Sequence, residues 1–377
     1  MRVRAAAAIA ITVFWGCKSR QEPEAWTSAL ASATPEVAPQ GSVEPHSAAS
    51  AAASAVVAIR DTTLPIMAPR APAQRLVFGR GMLGELSADR LLIRSMLRPE
   101  QDKTFALSGG RALTALPSGA LLAIDAEAVY RVDPGAAKPR SYKRVSFFPD
   151  SELLPERSDG QFFWVVHRVT QTALRYRLEN SELPMLVSDV ETKLEGYDGG
   201  AIEMSRDGVF VYSTAGGIAR QVPRGKAVIF KPPVGSSGKA IWRLLPAGRL
   251  DQLWVVSEDG EVELWTLIPN APLVRKFRVA ERPYEAVAAA DALAFVTVVQ
   301  ERGQARRFLA LVYDGQGAER FRIELPNDPA TSSENWLSNV TQNKGIAVSE
   351  SEKKLAVGGP TWLGLWDLET GASLARP

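Results

Sequence analysis

From residue 76 onward, short apolar-rich segments alternate with turns built on Gly, Asp-Gly, Asn and Pro. That rhythm predicts consecutive strands rather than helices. In Gly260–Leu267, GEVELWTL, Val262 and Leu264 alternate with Glu261 and Glu263, the period-two pattern of a half-exposed strand. The alanine-rich stretch Pro283–Val299 is predicted as two strands joined at Ala290-Asp291. The pairs Asp159-Gly160, Asp207-Gly208 and Asp259-Gly260 predict hairpin turns, where glycine supplies a positive φ.

The strand pattern repeats. In Lys354–Gly371, KLAVGGPTWLGLWDLETG, Trp366 stands near the end of a strand with a turn four to five residues later. The corresponding positions going backwards are Leu311, Trp265, Arg220, Tyr176, Tyr130 and a degenerate copy at Glu85, at intervals of 55, 46, 45, 44, 46 and 45 residues. A period near 45 with about four strands per unit predicts an all-β fold, a β-propeller of about seven four-stranded blades. The marker residue is expected on the third strand of each blade, packed against a neighbouring blade, because no blade covers its own apolar faces. Tyr130, Tyr176, Trp265 and Trp366 are therefore expected in the core. The inner strand of the first blade is expected either near Thr62–Met67 or missing, and the chain is expected to finish on the fourth strand of the seventh blade.

The Lys354–Gly371 segment resembles a blade of the WD40 or YVTN-type propellers, with strands at Lys354–Gly358 and Leu363–Leu368 followed by Trp366-Asp367 and a turn. Trp265-Thr266 gives half of the Trp-Asp pair. The resemblance covers about residues 76–377 and implies a ring of blades around a channel, with a surface that binds proteins.

Composition changes the picture mainly at the N-terminus. Residues 1–75 carry seven Lys/Arg against five Asp/Glu, and the remainder is balanced at 37 of each. A balanced body lacks the clustered basic face that nucleic-acid binding requires. Arg2 and Arg4 precede an apolar run from Ala5 to Trp15, the layout of a secretory signal. The run closes on Gly16-Cys17, and this resembles the lipobox of bacterial lipoproteins. The resemblance implies cleavage after residue 16, lipidation of Cys17 and anchoring of the protein to a membrane of the bacterial cell envelope. Lys18, second in the processed chain, favours the outer membrane over the inner. Residues 17–75, rich in Ala, Ser and Pro, hold too few large apolar side chains to offset ordering entropy and are expected to form a disordered tether ahead of a propeller at 76–377.

Chemistry is sparse. Cys17 is the single cysteine, so no intrachain disulfide forms, and His46 and His167 are the two histidines, which excludes a histidine-rich metal site. No cofactor or metal is expected. No nucleophile elbow, phosphate loop or dinucleotide fingerprint is present. His167, in WVVHRVTQ, is expected at the end of a second strand, as a turn or edge residue or as a group facing a ligand.

The 55-residue interval places about ten extra residues within Pro326–Lys344. In such propellers the loops entering each blade share a face with those joining second and third strands. On it the expected partner-binding residues are Trp336, Trp362, Arg306 and Arg307, residue types enriched at interface hot spots. The expected function is a membrane-anchored scaffold that binds a protein partner. The alternatives are a lactonase-like hydrolase with carboxylates at one channel mouth and a propeller that binds a carbohydrate or other small ligand.

Overall fold

The computed structural model describes residues 75–374 apart from 144–146, 149–150, 157–159, 180–184, 206, 280–282, 290, 300–306, 327–344 and 360–361. The described residues form seven antiparallel sheets, six of four strands and one of three, each with its strands in sequential order. The fold is a seven-bladed β-propeller. We label the strands of each blade a to d from the inside outwards.

The inner strands a are Arg75–Gly79, Ala112–Ala115, Ser151–Pro155, Tyr197–Met204, Ile241–Pro246, Pro283–Ala289 and Ile346–Ser349. Each contacts the next around the ring, and the last contacts the first. Blade one is complete: its strand a begins at Arg75, which corrects the expectation of a missing or more N-terminal inner strand. Blade seven carries the shortfall, since beyond its third strand, Leu363–Asp367, the only further pairing among the described residues is a single bridge between Trp366 and Ser373. The two strands expected within Pro283–Val299 are present as Pro283–Ala289 and Ala292–Val299.

Apolar side chains gather in seven clusters among the described residues, and every cluster spans two neighbouring blades. The core is thus a ring of interblade layers, as expected for sheets whose two faces are both apolar. Among the described residues the ring closes without an exchanged strand. Leu76, Phe78 and Leu83 of blade one instead pack directly on Ala347, Ala356, Leu363 and Leu365 of blade seven.

Five of the seven markers obey one rule; Arg220, on strand c of blade four, pairs instead with Val211, which packs into the layer shared with the following blade. Tyr176, Trp265, Leu311 and Trp366 lie on strand c and pack into the layer shared with the preceding blade, and half-buried Tyr130 packs against its layer in the same way. Trp366 is fully buried over Gly364, where a Cβ would stand 2.0 Å from the indole ring. Blade one breaks the count. Glu85 lies on strand b, Met82–Leu86, and pairs with Leu92 of strand c, Arg90–Ser95. Blade two is built from strands of four and five residues, so a step of 45 from Tyr130 overshoots the true strand c.

The strand Glu261–Thr266 also departs from expectation: Glu263 is 3% exposed rather than solvated. Its carboxylate accepts hydrogen bonds from the Ser236 hydroxyl at 2.7 Å, the Ser237 N–H at 2.6 Å and the Trp265 indole N–H at 2.8 Å. Burial pushes its pKa up, but these donors favour the ionised form, and the net shift is downward. Of the predicted Asp-Gly turns, Gly208 and Gly260 take the positive φ expected, 77° and 84°.

Candidate functional site

Strand a of each blade runs along the central channel, so the seven inner strands line one cavity of about 360 Å³. Its walls are of mixed polarity, with Leu76, Leu153, Leu245, Val287 and Ile346 among the apolar residues. Six charged side chains interrupt them: Arg75, Glu152, Arg168, Glu203, Arg243 and Glu285.

Strand register sorts these charges to the two ends of the channel. Arg75 opens its strand and pairs with Leu86, the last residue of strand b. Glu152 pairs with Val166 and Arg243 with Val256, each next to last in strand b. Glu285, third in its strand, pairs with Val296, and Arg168 directly follows strand b of blade three. All five therefore sit toward the entrance where the d–a and b–c loops emerge. Glu203 pairs with Val211 at the start of strand b, which puts it toward the opposite end.

Two ion pairs organise the entrance. The Arg168 guanidinium donates to Glu152 at 2.5 Å, and Arg243 lies 3.3 Å from Glu285. Both carboxylates are buried, at 7% and 2% exposure. Arg75 lies between these pairs electrostatically. Burial lowers its pKa, the carboxylates of Glu152 and Glu285 oppose that shift, and the guanidinia of Arg168 and Arg243 add to it, for a net lowering.

Beside this entrance, on blade three, His167 ends strand b as expected. It is 7% exposed, with Nδ1 2.8 Å from the Ser151 hydroxyl and its ring 5.3 Å from that of Phe148. The same hydroxyl accepts the Phe148 N–H at 3.0 Å. The trio clamps the d–a loop onto the strand ends. It leaves Phe148, in the d–a loop before Glu152, 54% exposed, and Val169, in the b–c loop after Arg168, 83% exposed.

A second cavity of about 370 Å³ lies between blades four and five on the same side, lined by Asp198, Ser213, Ser236, Lys239, Glu261 and Glu263 among others. Its polar groups are engaged with one another: Asp198 accepts the Ser213 hydroxyl at 2.6 Å, and Lys239 and Lys276 bridge to Glu261 at 3.0 and 2.5 Å. Among the described residues no group of three His, Cys, Asp or Glu is placed to hold a metal ion, and no helix is long and apolar enough to cross a membrane.

The predicted site residues fare unevenly. Arg307 opens strand c of blade six, Arg307–Asp314, at the loop face where it was expected, and is half-buried. Trp362 does not present itself to a partner: it is 7% exposed and packs into the layer between blades six and seven, because its indole folds back over Gly359. Arg306, Trp336, Cys17 and His46 lie outside the described residues. The charged entrance was missed. A signal for it exists in SELLP, WRLLP and YEAV, where a charged residue near the start of an inner strand is followed by apolar ones.

Neither a protein-family model nor a curated protein matches this chain. Solved structures do. The chain is similar to Hsv2 from Kluyveromyces marxianus, with a TM-score of 0.51 at 14% identity over 82% of this chain and 98% of that one. Hsv2 from Kluyveromyces lactis gives 0.50 at 12% identity over 81% and 97%. Saccharomyces cerevisiae Sqt1 gives 0.51 at 10% identity over 81% and 85%. At these identities the likeness is one of fold, the β-propeller.

Proposed function

We propose that this chain is a lipid-anchored protein of the bacterial cell envelope whose propeller binds a protein partner through the face formed by the d–a and b–c loops. In this reading Cys17 carries the lipid once residues 1–16 are removed, several acyl chains hold it to the outer membrane at about 0.8 kcal/mol per buried methylene, and residues 17–75 give the propeller reach. One observation supports the docking face above others: the two loops of blade three that border the Arg168–Glu152 ion pair at the channel entrance each carry an exposed apolar residue, Phe148 and Val169. An aromatic anchor, an aliphatic neighbour and an arginine held by its own carboxylate are the ingredients of an interface hot spot. Arg307 belongs to the blade-six side of the same face. Binding is favoured over hydrolysis because the entrance carboxylates Glu152 and Glu285 are each held against a guanidinium, the opposite of the solitary acid that general acid catalysis needs.

The test has two parts. Cells fed an alkyne-tagged palmitate should label the wild-type chain and not Cys17→Ala. In-cell crosslinking should capture a stoichiometric protein partner with the wild type and with Leu250→Ala, an exposed residue of an a–b loop on the other face. Capture should fail with Phe148→Ala/Val169→Ala. Absence of label, or equal capture by the double variant, overturns the corresponding half of the reading.

A further inference from the structure

The charges at the channel entrance do not cancel. Glu152 and Glu285 each have an arginine within ion-pair distance, Arg168 and Arg243. Arg75 is the third guanidinium at that end, and among the described residues no carboxylate lies within 4 Å of it. Among the described residues at that end, three cations stand against two anions, which leaves one net positive charge. A buried guanidinium that lacks a close carboxylate carries a desolvation cost that its more distant charges offset only in part, as its lowered pKa reflects, and an anion placed beside it recovers part of that cost. Glu203 does not supply the balance. It lies toward the other end of the channel, where its carboxylate accepts its neighbour Met204 N–H at 3.2 Å.

We propose that the channel entrance is a binding site for a small molecule carrying one carboxylate or phosphate group on a short apolar body, with the Arg75 guanidinium as its direct contact. The guanidinium is a planar fork that matches either oxyanion in a bidentate way. The Arg168–Glu152 pair on blade three and the Arg243–Glu285 pair that bridges blades five and six stand on either side of it around the ring, and their fixed charges confine the anion to the centre. The apolar body fits the walls formed by Leu153, Val287 and Ile346. A volume of about 360 Å³ lies within the range of small-molecule sites. The site shares its face and the Arg168–Glu152 pair with the proposed partner surface, but neither lipid nor partner is needed for it to work.

The experiment uses the purified full chain and four probes: hexanoate, butyl phosphate, hexanamide as the neutral isostere, and inorganic phosphate. Isothermal titration should give saturable binding of hexanoate or butyl phosphate, and the tighter of the two identifies the headgroup class. The melting temperature should rise with ligand concentration as mass action requires. Hexanamide and Arg75→Gln should each weaken binding at least about tenfold, the usual worth of a charge-assisted hydrogen bond. Arg75→Lys should fall between, because it keeps the charge without the fork. Inorganic phosphate should bind more weakly than butyl phosphate if the apolar walls contribute. No saturable binding of either anion, or equal binding of hexanamide and hexanoate, overturns the proposal. So does wild-type affinity in Arg75→Gln. If circular dichroism finds Arg75→Gln unfolded, Arg75→Lys and the hexanoate–hexanamide pair still decide it. Loss of partner crosslinking in Arg75→Gln without any small-anion binding would overturn the small-molecule site and leave the partner surface standing.

Discussion

Trp366 offers the sharpest test of the interblade layers, because two substitutions there should behave in opposite ways. The side chain is fully buried between blades six and seven, against residues such as Val296, Phe308, Ile323 and Leu355. Burying a tryptophan removes roughly 150–250 Å² from water, worth about 4–6 kcal/mol at about 25 cal/mol per Å². Trp366→Ala is therefore expected to cost about 3–5 kcal/mol, allowing for partial collapse of the cavity. The indole N–H adds a second term. It is buried with no hydrogen-bond partner among the described residues, a defect worth about 1–3 kcal/mol. Trp366→Phe gives up roughly two to three methylene equivalents, about 2 kcal/mol, but removes that unsatisfied donor. The two terms nearly cancel, and the expected change lies within about 1 kcal/mol of zero. Urea unfolding followed by far-UV circular dichroism measures both variants, with an unchanged slope confirming that only stability moved. The reasoning fails if Trp366→Phe is as damaging as Trp366→Ala, or if Trp366→Ala costs under about 1 kcal/mol.

Further expectations follow from the same packing and electrostatics. Gly364→Ala sets a Cβ against the Trp366 ring and should cost about 1–3 kcal/mol by overpacking, a penalty that should largely vanish in a Trp366→Ala background when the two are combined in a double-mutant cycle. The downward-shifted pKa of Glu263 means that its contribution to stability is present above the ordinary carboxylate range near pH 4.3 and is lost as pH falls through the lower folded value. Glu263→Gln should therefore be less stable than wild type at pH 7, with the gap closing on acidification, as urea midpoints from pH 7 to 3 would reveal. Burial pushes the phenols of Tyr197 and Tyr212 up to about 12. The neutral forms are favoured in the folded state, so this stability is complete below pH 10 and lost as pH rises towards 12. An alkaline difference spectrum at the tyrosinate band should find these two ionising only with unfolding, and free titration near pH 10 would refute it.

What the sequence determined by itself was whatever local pattern fixes. Period-two alternation, turn glycines and an aromatic recurring on the third strand specify a blade. Since a blade cannot cover its own faces, repetition specifies a ring. Tyr176, Trp265 and Trp366 were legible as core for that reason. Position within the ring was less so: Glu85 fell on the wrong strand because the short strands of blade two compress the period there. Trp362 looked like an exposed anchor, yet the missing side chain of Gly359 lets its indole lie down into the core. Glu263 read as solvated, although three donors reaching it from a loop and its own strand make burial of its charge tolerable. The entrance to the channel was decided by tertiary structure alone. Arg75, Glu152, Arg243 and Glu285 come from blades one, three, five and six, and only ring closure brings residues so far apart in the chain around one cavity. Their individual charges were visible in the sequence, whereas which of them pair depended on the side chains that the closed ring set side by side.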